Sequence, residues 1–266
     1  MRTKEEGVAP RPEARDKSYV ASLQKGLDVL TCFGRQHSRL TVSDVARLMG
    51  GSAASARRSL LTLRALGYID SDGKRFWLSP KVLLVAHAYL SSRPMPSMAQ
   101  PLLDALSERT RESASLGTLQ GDDAIMIARS TARRSLSIGL GIGSRLPAYC
   151  SSLGRVLLAS LPPPEAARRI RAMARDALTS RTVFAANEVI GLIQRCREEG
   201  HACNDGELEL GVRSMAVPVL DRTGATVAAM SIAVRAERMA LGEFRDAFLP
   251  VLRKAAVTLT SRLYPE

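Results

Sequence analysis

Residues 40–80, LTVSDVARLMGGSAASARRSLLTLRALGYIDSDGKRFWLSP, decide how the rest of this chain is read. Val42, Val45, Ala46, Leu48 and Met49 recur at helical spacing, Gly50-Gly51-Ser52 interrupts them, and a second helical pattern follows. Ala56, Leu60 and Leu63 share one face of that second helix, so Ala54, Arg57 and Arg58 point away from the core side. Gly67 ends it, and Tyr68-Ile69-Asp70 and Phe76-Trp77-Leu78 flank the turn Ser71-Asp72-Gly73-Lys74, the pattern of a hairpin with a basic tip. Two helices meeting at a tight turn and followed by such a hairpin make a winged helix-turn-helix. A helix about 10–12 Å across fits a major groove ~12 Å wide, and Lys74 and Arg75 on the wing reach a phosphate or the minor groove. The plain alternative is a helical hairpin beside a β-hairpin, with its arginines merely solvated.

Charge favours nucleic acid. The 266 residues carry a net charge of +12, with an excess of 7 positive charges in residues 1–92 and of only 5 in the longer remainder, 93–266. Aromatic residues make up 4%, too few for a base-stacking platform. No basic amphipathic stretch suggests a membrane surface, no run of ~18 apolar residues occurs, and the N-terminus lacks an apolar leader. Cys32, Cys150, Cys196 and Cys203 show no metal-binding spacing and read as reduced thiols of a cytoplasmic protein. No cofactor, metal ligand or membrane contact is expected.

The length implies two domains. Residues 1–17 lack apolar periodicity and read as a disordered tail. Residues 18–79 form the DNA-binding domain, opened by a helix in which Val20, Leu23, Leu27 and Leu30 face inward and Ser18 or Ser22 is the cap. Residues 80–96 are a linker: an apolar helix from Pro80 to Ser92, suited to pairing between subunits, and then Pro94 and Pro96, which cannot continue a helix interior. Residues 97–266 begin with a helix over 97–112. Short strand-like runs follow at 114–119, 124–128 and 135–138, then helices over 151–161, 162–175 and 188–200. A hairpin over 215–234 and a long helix over 241–263 close an α+β domain whose antiparallel sheet is covered by helices.

SLQKGLDVL, the helix-turn-helix stretch, GSRLPAYCSSLGRVLLA and GELELGVRSMAVPVLDRTGATVAAMSI occur in order, and over residues 18–262 the chain resembles the IclR-type transcriptional regulators. AYLSS, AQPLLDALS and RLPAYCSSLGRVLLA are most similar to the subgroup regulating catabolism of protocatechuate, 4-hydroxybenzoate and related aromatic acids. The resemblance implies a winged helix-turn-helix joined by a helix to a GAF-like effector-binding domain, assembled as dimers or tetramers. It implies a double-stranded operator and a small organic acid as partners, with RNA polymerase a partner if the chain activates. On DNA the resemblance and the pattern together place Ser52, Ala53, Ala54, Ser55, Arg57, Arg58, Lys74 and Arg75. By motif position the effector pocket would be lined by Ile138, Leu146, Ser151, Ser152, Leu153, Asn204, Val212, Ser214, Ser231 and Ala233, with Tyr149 or Arg145 able to contact a ring or its acid. Where the wider family commonly has a histidine and then Gly-Lys, this chain has Tyr149 and Gly154-Arg155. Ser151 and Ser152 at a helix N-terminus combine backbone N–H groups and hydroxyls in a way that suits a carboxylate, and simple N-capping explains them too.

Two other classes were weighed. A hydrolase would have to pair Cys150 with His201, there being no GxSxG elbow, and GLGIG at 139–143 lacks the third glycine of a dinucleotide loop. An architectural, sequence-independent DNA binder would leave the second domain unexplained.

Overall fold

The computed structural model describes residues 18–34, 37–131 and 140–265, which divide into two compact units, the first ending at Ser92 and the second beginning at Arg93. The expected tail, the strand over 135–138 and Ile138 lie outside the described residues.

The first unit runs α1 (Ala21–Thr31), α2 (Val42–Leu48), α3 (Ala53–Ala65), β1 (Ile69–Ser71), β2 (Phe76–Leu78) and α4 (Val82–Ser92). Thr41 opens α2 with a capping box: its hydroxyl accepts from the Asp44 amide while the Asp44 carboxylate takes the Thr41 amide at 2.9 Å. Gly50, at φ +58°, makes the turn to α3, which Ser52 caps through the Ser55 amide at 3.2 Å. Val29, Leu40, Val45, Ala46, Ala56, Leu60, Leu63, Ile69 and Phe76 form the core. Leu40 and Phe76 exchange backbone hydrogen bonds, tying the hairpin to the start of the helix-turn-helix.

The expectation about α1 needs correcting. The cap position of α1 is Val20, with no side-chain bond, and Val20, Leu23 and Leu27 point outward at 57%, 62% and 56% exposure. Most of the apolar stripe of α1 is therefore an outer face; of the four expected residues only Leu30 packs on the core, beside Val29, which fills it. In α4 no residue is buried, and Leu83, Leu84, Val85 and Tyr89 are all exposed.

The second unit is a three-layer α/β/α stack. Its antiparallel sheet has the order β5-β4-β3-β8-β7-β6, built from β3 (Ser113–Gln120), β4 (Asp123–Ser130), β5 (Arg145–Pro147), β6 (Ala202–Asp205), β7 (Val212–Leu220) and β8 (Thr226–Arg235). One face carries Ala114, Leu116, Ile127, Met215, Val217, Met230 and Ile232 and packs on α5 (Pro94–Thr110) and α9 (Leu241–Leu263). Behind the other lie α6 (Ser152–Ala159), α7 (Pro163–Ala172) and α8 (Ala186–Glu199). Strand alternation splits each strand between the two layers. The edge strands β5 and β6 were not anticipated, and α5 starts at Pro94, earlier than 97, because Pro94 and Pro96 fall in its first turn, where a missing N–H costs nothing.

Candidate functional site

Around α3, Ser52, Ala53, Ala54, Arg57 and Arg58 are exposed and Ser55 is half-buried. The hydroxyl of Ser52 is occupied as the helix cap. Arg57, Arg58 and Arg64 on α3 and Lys74 and Arg75 on the wing have no carboxylate within ion-pair distance among the described residues. The wing turn is set by Asp72, whose carboxylate accepts the amides of Arg75 at 2.7 Å and Lys74 at 3.0 Å; these bonds hold its carboxyl below the ordinary value. The backbone of Lys74 and Arg75 is thereby fixed and their side chains are left to solvent. Arg39, not anticipated from the sequence, lies 4.2 Å over the Trp77 ring and 4.0 Å from Asp72, adding a cation at the base of the wing.

In the second unit, Leu146 lies at the far edge of the sheet, on β5, while Asn204, Ser214, Ser231 and Ala233 come together on its α6 side, with Val212 on the same side and Ser152 bonded to Ser214 from α6. Cross-strand pairs Asn204–Ser214, Ser214–Ala233 and Ala216–Ser231 place them in adjacent rows. Ser151 is the α6 cap, bonded to the Gly154 amide at 3.1 Å, whereas Ser152 turns to the sheet and bonds Ser214 Oγ at 2.9 Å. Leu146 and Leu153 belong to the apolar cluster of this layer. A Cβ on Gly154 would fall inside the backbone of Ala148, so glycine lets α6 sit against the turn that precedes it.

Arg155 and Glu207 lock that arrangement. Their side chains, 2% and 10% exposed, meet in a bidentate pair at 2.7 and 2.6 Å. Arg155 also donates to the Tyr149 carbonyl at 3.0 Å, and Glu207 takes the Val183 amide at 3.0 Å. Asn204 donates to the Cys150 carbonyl and accepts from the Glu207 amide, so its amide group holds the α6 approach in place. Tyr149 is not brought to the serines. Its ring sits among Ala166, Ile170 and Met173, its hydroxyl donates to the Asp176 carbonyl at 2.6 Å, and burial raises its pKa.

One side chain of this face escaped the sequence reading. The register of β3 and β4 shifts between Leu116 and Gly117, so Arg129 pairs across from Ser115 instead of following Ile125 and Ile127 to the α5 side. Its Nη1 donates to Ser115 Oγ at 3.2 Å and lies 3.7 Å from Met126 Sδ.

Burial pushes Cys150 and Cys203 each up to about 11, far from an activated thiolate. A surface cleft lined by Glu199, His201, Cys203 and Arg245 brings His201 beside Cys203, not Cys150. Among the described residues no His/Cys/Asp/Glu cluster could hold a metal, and no helix is long and apolar enough to cross a membrane.

A basic winged helix-turn-helix in one chain with a helix-flanked sheet whose inner face is lined by hydroxyls defines an effector-responsive, DNA-binding transcription regulator, not an enzyme. The IclR helix-turn-helix domain matches residues 22–73 and the C-terminal domain of the bacterial transcriptional regulator IclR matches residues 87–261. The chain belongs to the IclR family. It is 40% identical over 250 residues to the Pca regulon regulatory protein of Pseudomonas putida, covering 94% of this chain and 86% of that one. The crystal structure of a transcriptional regulator from Rhodococcus sp. RHA1 superposes with a TM-score of 0.76 at 42% identity, over 92% of this chain and 98% of that one. A double mutant of the inducer-binding domain of PobR from Acinetobacter, in complex with 3-hydroxybenzoic acid, aligns with a TM-score of 0.59 at 30% identity, over 62% of this chain and 97% of that one.

Proposed function

We propose that this regulator binds a small aromatic acid in its second unit and that the acid shifts its affinity for, or activity at, an operator of catabolic genes. The observation that carries the reading is the hydroxyl set of buried Ser152 and Ser231 and half-buried Ser214, with buried Asn204, beside apolar side chains at Leu146 and Leu153. Buried hydroxyls beside apolar surface suit a substituted ring, and the 3-hydroxybenzoic acid held by the PobR domain is of that kind. Ile138, Ser151, Val212 and Ala233 complete the proposed lining, and Tyr149, held by Asp176, is left out of it.

On DNA, residues 52–66 enter the major groove, with Ser52, Ala53, Ala54, Ser55, Arg57 and Arg58 at the interface and Lys74 and Arg75 on the flanking backbone. The five unpaired cations of α3 and the wing support this, since contact with phosphates would neutralise them. The exposed apolar faces of α1 and α4 support a homodimer or a pair of dimers, with half-sites about one helical turn apart. The domains are 18–79, a connecting segment over 80–96, and 97–266, and the protein works in the cytoplasm. RNA polymerase is the further partner if the bound state activates.

Calorimetry on the full chain with protocatechuate, 3-hydroxybenzoate and 4-hydroxybenzoate tests the effector class. Ser152→Ala is expected to lose the response while operator affinity is kept; a Ser152→Ala protein that responds as before would remove the serine from the site. Arg58→Ala is expected to weaken operator binding by ~1–3 kcal/mol if the side chain reads a base.

A further inference from the structure

We propose that Arg129 is the group that neutralises the effector's carboxylate, so that the acid lies across the sheet with its charge at β4 and its ring toward Ser231, Ser214 and Ser152. The proposal rests on the small-acid reading above and adds a residue and an orientation to it.

The observation is a cation without a counter-ion. Among the described residues, Arg129 Nη2 is shielded from solvent and has no hydrogen-bond partner, and no carboxylate pairs with the guanidinium. What the side chain does touch is neutral: Ser115 Oγ at 3.2 Å, Thr131 Oγ1 at 3.2 Å and Met126 Sδ at 3.7 Å. Burial alone pulls its pKa down, and no acidic neighbour opposes that. An arginine stays charged in proteins, and a buried charge left unpaired is costly. Arg129 as a whole is half-buried; the deeply buried arginine of this layer, Arg155, is fully engaged by Glu207. A carboxylate is the ligand that a planar guanidinium with a spare N–H recognises best.

Register gives the orientation. Arg129 pairs with Ser115, Ser115 with Ser231, and Ser231 with Ala216, so one row crosses from β4 to β7 on the α6 face. Ser214, in the adjacent row of β7, holds Ser152. Strands β4 and β7 are three steps apart, about 14 Å at ~4.8 Å per step. The arginine side chain takes up part of that span, and the proposal places the ring over the rest. The Leu116/Gly117 bulge is what turns Arg129 to this side.

The test is calorimetry and thermal unfolding of the full-length protein and of Arg129→Met and Arg129→Lys. The ligands are 3- and 4-hydroxybenzoate, protocatechuate, the matching neutral amides, and the aliphatic carboxylates acetate and succinate. Wild type is expected to prefer acid to amide, and Arg129→Met to lose roughly 10- to 100-fold for the acid with the amide unaffected. Its ligand-free melting temperature is expected to hold or rise, because an unpaired buried charge is gone, whereas a purely structural arginine would lower it. If Arg129→Met does unfold early, Arg129→Lys decides: a reduced acid-over-amide preference supports the proposal and an unchanged one overturns it. Equal binding of an aromatic acid by wild type and Arg129→Met overturns it while leaving the proposed function intact. Arginine-dependent binding of aliphatic acids alone upholds it and removes the aromatic class. If no carboxylate binds wild type, both fall.

Discussion

Removing the carboxylate of Glu207 by Glu207→Ala is the perturbation whose effect is largest and most directly computable. It leaves Arg155, 2% exposed, with only the carbonyls of Tyr149 and Cys203 as acceptors and deprives the Val183 amide of its partner. Guanidinium cannot relieve this by losing its proton. Breaking a buried pair from one side costs about 3–5 kcal/mol. For a domain of 150–250 residues each kcal/mol moves the melting temperature by about 2–4 °C, so a drop of about 6–20 °C is expected. Arg155→Met/Glu207→Leu removes both charges and should be the milder change. Calorimetry and urea unfolding followed by circular dichroism give the magnitude. Trp77, the one tryptophan, lies in the wing, so its fluorescence transition reports the first unit and should stay in place. A loss below about 1 kcal/mol, the range of exposed pairs, or a double variant less stable than the single one, would refute the reasoning.

Gly154→Ala drives a methyl into the Ala148 backbone and should cost about 1–3 kcal/mol in urea unfolding, with weaker effector binding by calorimetry because Ser152 shifts from Ser214. Thr41→Ala removes the α2 capping box and should cost about 1 kcal/mol at neutral pH. The Thr41 amide and hydroxyl hold the Asp44 carboxyl below its ordinary value, so the folded pKa lies under the unfolded one. That part of the stabilisation is therefore complete above the unfolded pKa of about 3.9 and disappears as pH falls through the folded value; the difference between wild type and Thr41→Ala should shrink in acid titrations of stability to the part carried by the bond from the Asp44 amide to the Thr41 hydroxyl, which does not titrate. Lys74→Ala should reduce the slope of log K against log salt by about 0.9, equally on operator and random DNA, and an unaltered slope would take Lys74 off the phosphates.

Much of this was legible from residue patterns, for reasons that differ by element. The helix-turn-helix could be read because Ala56, Leu60 and Leu63 sit on one face and Gly50 and Gly67 mark its ends, and the long α9 because its apolar period runs over 23 residues. The edge strands β5 and β6 could not be. Each is three or four residues long, and Asn204 and Asp205 disfavour strands on propensity alone. The outward stripe of α1 has the same period as an inward one, so periodicity alone points Leu23 and Leu27 to a core they do not enter. In the second unit the serines carried a motif, but Arg129 did not: regular alternation from Ile125 and Ile127 assigns it to the α5 face, and only the bulge moves it. The Arg155–Glu207 pair joins residues 52 apart, a contact no local pattern encodes.

The central claim is that a small aromatic acid and an operator are linked through one protein. Fluorescence anisotropy of the full-length chain on labelled DNA from upstream of its own gene and neighbouring genes, in excess random competitor, measures that linkage when repeated with protocatechuate, 3-hydroxybenzoate and 4-hydroxybenzoate. The account predicts binding that survives competitor and an affinity, or a promoter-complex signal with RNA polymerase added, that one of these acids changes by about 5- to 150-fold, the usual range of allosteric coupling. Binding that competitor abolishes, with no acid altering it, would contradict the account.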